Sequence, residues 1–201
     1  MVKKKLLVAT TNPGKVREIK KYLGDLPLEI SDLKENKIDQ KYEEKGKTFL
    51  ENARGKAIFY SQFFKGLILG EDSGLEVEKL WGAPGVYSAR FAGEGANDEL
   101  NNEKLLTLLK GIPWEERKAR FVSAQVLVEN GKIIFETVES VDGYILEAPR
   151  GNYGFGYDPV FYYPPLKRSF AELLPEEKNK VSHRGKALNK LKEFLEKYLM
   201  K

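Results

Sequence analysis

Four separated segments of the chain carry residue types suited to phosphate and cation chemistry. The first, Thr10-Thr11-Asn12-Pro13-Gly14-Lys15, lies between an apolar run and a helical pattern. N–H groups at a helix start lack intrahelical partners and the dipole there favours anions, so these residues would make a phosphate cradle with Lys15 as its full charge. The segment is not a P-loop, because Ala9 stands where the first glycine belongs and Val16 follows Lys15 in place of serine or threonine. A plain capped helix accounts for the same residues equally well.

The second feature is a set of acids. Glu71-Asp72 follows Leu67-Ile68-Leu69 and is expected at a strand end, where ligands of α/β sheets gather. Carboxylates brought together there would suit Mg²⁺, a hard cation that takes oxygen ligands, and one of them could accept a proton from a water. By itself Glu43-Glu44 reads as a solvated charge run. Asp72 is the stronger candidate, with turn capping as its competitor. The third segment is Gly154-Phe155-Gly156-Tyr157-Asp158-Pro159, in which glycines permit close backbone approach and the aromatics offer a face to a purine ring. A tight loop packed on the core is the plainer account. The fourth runs from Glu177 through Lys178 to Ser182-His183-Arg184-Gly185. Ser182 is expected to cap the last helix, while Lys178, His183 and Arg184 could donate to a nucleotide, arginine through its planar fork.

These segments need elements to hold them. Lys5–Ala9 reads as a short strand, and Asn12-Pro13 opens a helix as N-cap and first helical residue. A second helix is expected over 47–64 on an apolar stripe of Phe49, Leu50, Ala53, Ala57, Tyr60 and Phe64, followed by a buried strand from Gly66 to Leu69. Residues 97–109 read as a helix. Residues 120–128 and 133–141 read as a hairpin around Glu129-Asn130-Gly131, and the chain closes on a helix with Ala187, Leu188, Leu191, Phe194, Leu195 and Tyr198 on one face. The expected fold class is α/β with a mixed sheet.

Composition narrows the chemistry. With no cysteine, thiolate metal sites, disulfides and cysteine nucleophiles are excluded, which suits a reducing cytosol. A single histidine, His183, rules out a histidine-pair metal site within one chain. No apolar stretch approaches the ~20 residues of a membrane span, so no membrane partner is expected. The net charge of +4 in 201 residues is too small, and too scattered among acids, to mark a nucleic-acid binder.

Taken in order, the segments resemble the inosine/xanthosine triphosphate pyrophosphatase (Ham1-like) family. Matching pieces include Thr10 to Lys15, Thr48-Phe49-Leu50-Glu51-Asn52-Ala53, Glu71-Asp72-Ser73-Gly74-Leu75 and Gly82-Ala83-Pro84-Gly85-Val86-Tyr87-Ser88-Ala89-Arg90-Phe91. Gly154 to Pro159 and Ser182 to Leu188 complete the set. The resemblance implies one domain over residues 1–201, with an elongated mixed sheet, flanking helices and two lobes around a nucleotide cleft. It also implies a homodimer that converts ITP, dITP or XTP to the monophosphate and pyrophosphate with Mg²⁺, and the cysteine-free composition suits a cytoplasmic location.

On this resemblance Asp72 is the proton acceptor and, with Glu43 or Glu44, a metal contact; which of the two glutamates remains open. Lys15 and Lys56 would hold the triphosphate near Thr10, Thr11, Asn12, Pro13, Gly14 and Ser73. Phe155, Gly156, Tyr157, Asp158, Lys178, His183 and Arg184 would hold base and sugar. Some relatives carry aspartate where this chain has Glu71, and the role of that position is open. Base choice is expected to follow from O6 of hypoxanthine and xanthine, an acceptor where adenine offers an amine, with Arg184 as a candidate donor.

Overall fold

A computed structural model describes residues 3–200. In chain order its elements are β1 (Lys4–Ala9), α1 (Pro13–Leu23), β2 (Leu28–Asp32), α2 (Phe49–Tyr60), β3 (Leu67–Val77) and α3 (Asp98–Leu108). They continue with β4 (Lys118–Glu129), β5 (Lys132–Ile145), β6 (Phe161–Tyr163), β7 (Arg168–Ser169), α4 (Pro175–Val181) and α5 (His183–Leu199). The strands form one sheet in the order β2-β1-β3-β4-β5-β6-β7. β1 pairs in parallel with β2 and β3, whereas β6 pairs antiparallel with β5 and β7, so the sheet is mixed as expected.

By its contacts the chain forms two compact units, and the divisions at 72/73, 122/123 and 139/140 fall inside β3, β4 and β5. The first unit contains 1–72, 123–139 and 186–201. Its core sets Leu6, Val8, Leu67, Leu69 and Leu127 against Ile19 and Leu23 of α1 and Leu188, Leu191 and Leu195 of α5. The second unit contains 73–122 and 140–185. Its core joins Leu75, Val77, Phe121, Val141 and Ile145 of the strands to Leu105 of α3 and to Phe161 and Phe170.

Local chemistry explains several boundaries. Asn12 caps α1, with Pro13 supplying a first residue that has no N–H to satisfy. Thr48 caps α2 by accepting from the Glu51 N–H, so this helix begins and ends inside the expected 47–64. Asn130 and Gly131 both adopt positive φ, 51° and 74°, as a two-residue hairpin turn requires.

Two expectations change. β3 does not stop near Leu69 but continues to Val77 with β4 as its neighbour, so Glu71 and Asp72 stand in the middle of a strand and not at its end. Short elements absent from the sequence-based expectation are β2, carried by the alternation Leu28-Glu29-Ile30, the strands β6 and β7, and α4, which carries Lys178.

Candidate active site

The mid-strand position of Glu71 and Asp72 decides their geometry. Successive strand residues point to opposite sheet faces. Glu71 meets Lys15 of α1, with Oε2 2.8 Å from Nζ, and it also accepts a hydrogen bond from the Ser123 hydroxyl at 3.3 Å. Glu71 is fully buried. Asp72 faces the other way, toward α2, where Lys56 Nζ lies 3.3 Å from its Oδ1 and the Asn52 amide donates to its Oδ2 at 3.1 Å.

α2 reaches this strand because of Gly70. A Cβ there would lie 2.2 Å from the Ala53 carbonyl oxygen and 2.8 Å from the Ala57 nitrogen, so only glycine lets the helix backbone rest on β3. The buried stripe of α2 is Phe49, Asn52, Ala53, Lys56, Ala57 and Tyr60. Two polar residues thus occupy positions that helical spacing assigns to the core, and Asp72 is what they meet there.

Glu44 joins the same group, 2.6 Å from Lys56 Nζ. Its neighbour Glu43 is exposed and pairs with Lys45. Lys56 therefore bridges two carboxylates from a position that is only 7% exposed. Burial works against its ammonium, but Asp72 and Glu44 outweigh burial and hold its pKa above the usual lysine value. Burial likewise pushes the Asp72 carboxyl up. Lys56 and Lys15 pull it back, Glu44 and Glu71 add to the rise, and the net position lies above the ordinary aspartate value.

The start of α1 behaves differently from the expected backbone cradle. Asn12 Oδ1 accepts from the Gly14 and Lys15 N–H groups at 2.9 and 3.1 Å, and its carbonyl accepts from Val16. Thr10 Oγ1 in turn accepts the Asn12 N–H at 3.2 Å. Asn12 thus satisfies the amides of its own helix, and the Lys15 side chain is the cationic donor this segment presents. Thr11 and Pro13 are exposed.

In the second unit, the loop containing Phe155, Gly156, Tyr157 and Asp158 is tied to α4 and to the start of α5. Asp158 Oδ2 accepts from the Lys178 ammonium at 2.6 Å and from the Phe155 N–H at 2.9 Å, with Asp158 and Lys178 both buried. A Cβ on Gly154, whose φ is +79°, would fall 2.1 Å from that same Oδ2. Lys178 Nζ and the Arg184 guanidinium lie 4.8 and 5.3 Å from the Phe155 ring centre, a cation–π arrangement. Arg184 also donates to the Ser73 hydroxyl at 2.8 Å. His183 is buried and stacks on Phe121, 4.7 Å between ring centres at 11°. Ser182 caps α5 by accepting from Gly185, as anticipated. Tyr157 bonds the Ser88 carbonyl oxygen, and burial pushes its hydroxyl far above the usual tyrosine range.

The predicted residues thus fall into two groups, one in each unit, and the adjacent residues Asp72 and Ser73 of β3 belong to one group each. Asn52 and Ser123 carry no role that the sequence alone reveals. For Asn52 a signal existed, namely an amide at a core position of a helix. Ser123 gave none, because small polar residues are common in buried strands.

In the first unit, Lys15 and Lys56 face the three carboxylates Glu44, Glu71 and Asp72, so the group is one negative charge in excess when all are ionised. Such a group repels a polyphosphate by itself, and one dication reverses its sign. Two of its carboxylates already share one ammonium, a donor set that fits a hard divalent ion held by few protein oxygens and completed by phosphates and water. Among the described residues no cluster of three or more acids and histidines forms a metal cage by protein atoms alone.

The Ham1 family model matches residues 6–194. The dITP/XTP pyrophosphatase of Thermoanaerobacter pseudethanolicus is 50% identical over 197 residues, covering 97% of this chain and 98% of that protein. The Bacillus subtilis dITP/XTP pyrophosphatase is 46% identical over 98% of this chain and 99% of its own length. Among solved structures, a HAM1 protein from Coxiella burnetii superposes with a TM-score of 0.86 at 38% identity, covering 96% of this chain and 98% of that one. The Staphylococcus aureus Ham1 protein gives the same TM-score and identity over 97% and 100%.

Proposed function

The chain belongs to the Ham1 family, and from that premise we propose that it hydrolyses the non-standard purine nucleotides ITP, dITP and XTP to the monophosphate and pyrophosphate. The observation that carries this reading is the buried Glu44–Lys56–Asp72 bridge with Lys15–Glu71 beside it, an acid–amine group able to take a cation and then a polyanion.

Asp72 is assigned as the proton acceptor for the attacking water, its carboxylate held by Asn52 on one oxygen and Lys56 on the other. Glu44 and Asp72 would hold Mg²⁺, with Glu43 directed elsewhere by its pairing to Lys45. The ion, when bound, supplies charge neutralisation to the triphosphate. Lys15 and Lys56 stabilise the departing pyrophosphate, whose negative charge grows as the bond to the α-phosphorus breaks. Thr10, Thr11, Asn12, Pro13, Gly14 and Ser73 are assigned to the surroundings of the phosphates. Asn12 serves chiefly by fixing the helix from which Lys15 projects.

Phe155, Gly156, Tyr157, Asp158, Lys178, His183 and Arg184 are assigned to base and sugar. The Asp158–Lys178 pair keeps the glycine loop in place, and Arg184 is a donor suited to an O6 acceptor. The enzyme is further proposed to act as a homodimer, as the family resemblance implies, and in the cytoplasm without nucleic-acid or membrane partners, as its cysteine-free composition, small net charge and lack of long apolar stretches suggest; among the described residues no helix is long and apolar enough to cross a membrane.

The test is a panel of ITP, XTP, dITP, GTP and ATP with Mg²⁺, scored for pyrophosphate and repeated with chelator. Pyrophosphate from the first three, lost with chelator, is expected. Orthophosphate with a diphosphate product would overturn the assignment. Nucleotide binding without turnover by the wild-type chain would identify a sensor instead.

A further inference from the structure

Segment 40–47, which contains Glu44, has no regular secondary structure and is strapped across α2. The Tyr60 hydroxyl donates to the Gln40 carbonyl oxygen at 3.0 Å, Lys56 pairs with Glu44, and Glu51 accepts the Lys47 N–H at 2.7 Å. The strap lies so close that a Cβ on Gly55 would fall 1.8 Å from the Tyr42 hydroxyl oxygen.

Asn52 belongs to this strap and to Asp72 together. Its Oδ1 accepts the Gly46 N–H at 2.8 Å, and its Nδ2 donates to Asp72 Oδ2 at 3.1 Å. The side chain is 1% exposed, so both ends of the amide must find protein partners. Gly46 meets the amide with its N–H donor, and the Asp72 carboxylate meets it with an acceptor. That arrangement fixes the amide orientation and requires a side chain with one acceptor end and one donor end. A Cβ on residue 46 would stand 2.5 Å from Asn52 Oδ1, so glycine is needed for the approach.

We propose that Asn52 is a positioning residue that locks the Glu44-bearing strap to Asp72, setting the carboxylate plane from which Asp72 acts. Asn52 takes one oxygen of Asp72 and Lys56 the other, so the carboxylate cannot rotate without breaking one of the two contacts. The proposal rests on the role assigned to Asp72 above, and it adds a residue that does not itself touch the substrate.

Asn52→Asp separates the two contacts, because it keeps an acceptor for Gly46 and turns a second carboxylate oxygen toward Asp72. Turnover of ITP with Mg²⁺ and trypsin cleavage after Lys45 and Lys47 are measured on folded protein. For Asn52→Asp, kcat is expected to fall at least ~10-fold while KM stays within about threefold, with trypsin resistance retained. Asn52→Ala should lose kcat and also expose the strap to trypsin. Gly46→Ala, which leaves Asn52 in place, should lower kcat as well and serves if Asn52→Asp does not fold. Wild-type kcat in Asn52→Asp and Gly46→Ala, or an Asn52→Ala strap no more cleavable than the wild type, would overturn the proposal. A wild-type chain that releases no pyrophosphate would instead overturn the reading beneath it.

Discussion

Lys56→Met removes the ammonium that contacts both Glu44 and Asp72 while keeping an apolar stem of similar length in the α2–β3 contact. Taking one partner from a buried ion pair costs about 3–5 kcal/mol, because the charge left behind has lost its solvent and its counter-charge. For a chain of this size each kcal/mol moves the melting temperature by ~2–4 °C, so the variant should melt about 6–20 °C lower in chelator. A divalent cation can replace the missing ammonium. Mg²⁺ should therefore raise the melting temperature of Lys56→Met by more than it raises that of the wild type.

Acid should narrow the gap too. The folded pKa of Asp72 lies above its unfolded value, so its favourable contribution is intact below the unfolded pKa and is lost as pH rises through the folded one. Losing Lys56, the strongest influence opposing burial, moves that folded pKa still higher. The defect is then largest at neutral and alkaline pH and shrinks on acidification. Thermal unfolding by circular dichroism, with and without Mg²⁺ across pH, reads all of this. A loss under ~2 °C in chelator, or equal Mg²⁺ responses in both proteins, would refute the charge bridge.

Gly70→Ala forces α2 away from β3, since the new methyl meets helix backbone at 2.2 Å; a loss of about 1–3 kcal/mol or more in urea unfolding is expected, with turnover falling as Asn52 and Lys56 leave Asp72. Arg117→Met should be among the most destabilising changes in the second unit. Its buried guanidinium donates to the carbonyl oxygens of Leu109, Ile145 and Leu146 at 2.6–2.7 Å, and at about 1.5–3 kcal/mol for each charged hydrogen bond the loss should exceed ~3 kcal/mol in the same assay. Asp72→Asn should keep nucleotide in a binding assay and lose hydrolysis, because an amide cannot accept the proton of the attacking water.

What the sequence disclosed and what it withheld divide along the range of the interactions responsible. The α1 start and the β4–β5 turn were readable because Asn12-Pro13 and Asn130-Gly131 determine their own backbone through contacts within a few residues. The extent of β3 was not, because residues 70–77 remain a strand through β4, whose sequence begins some forty residues later. α4 has seven residues, too few to display a helical period, and so Lys178 was named without the element that carries it. Asn52 and Lys56 illustrate the same limit inside a helix that was otherwise foreseen. Within an apolar stripe a polar residue reads as an interruption until the opposing strand is known to bring an acid to the same depth. The inference then reverses: an amide and an amine four residues apart on the buried face of a helix are costly unless a charge lies opposite, and that charge is Asp72. The positions least compatible with simple core packing are therefore the ones that locate the chemistry.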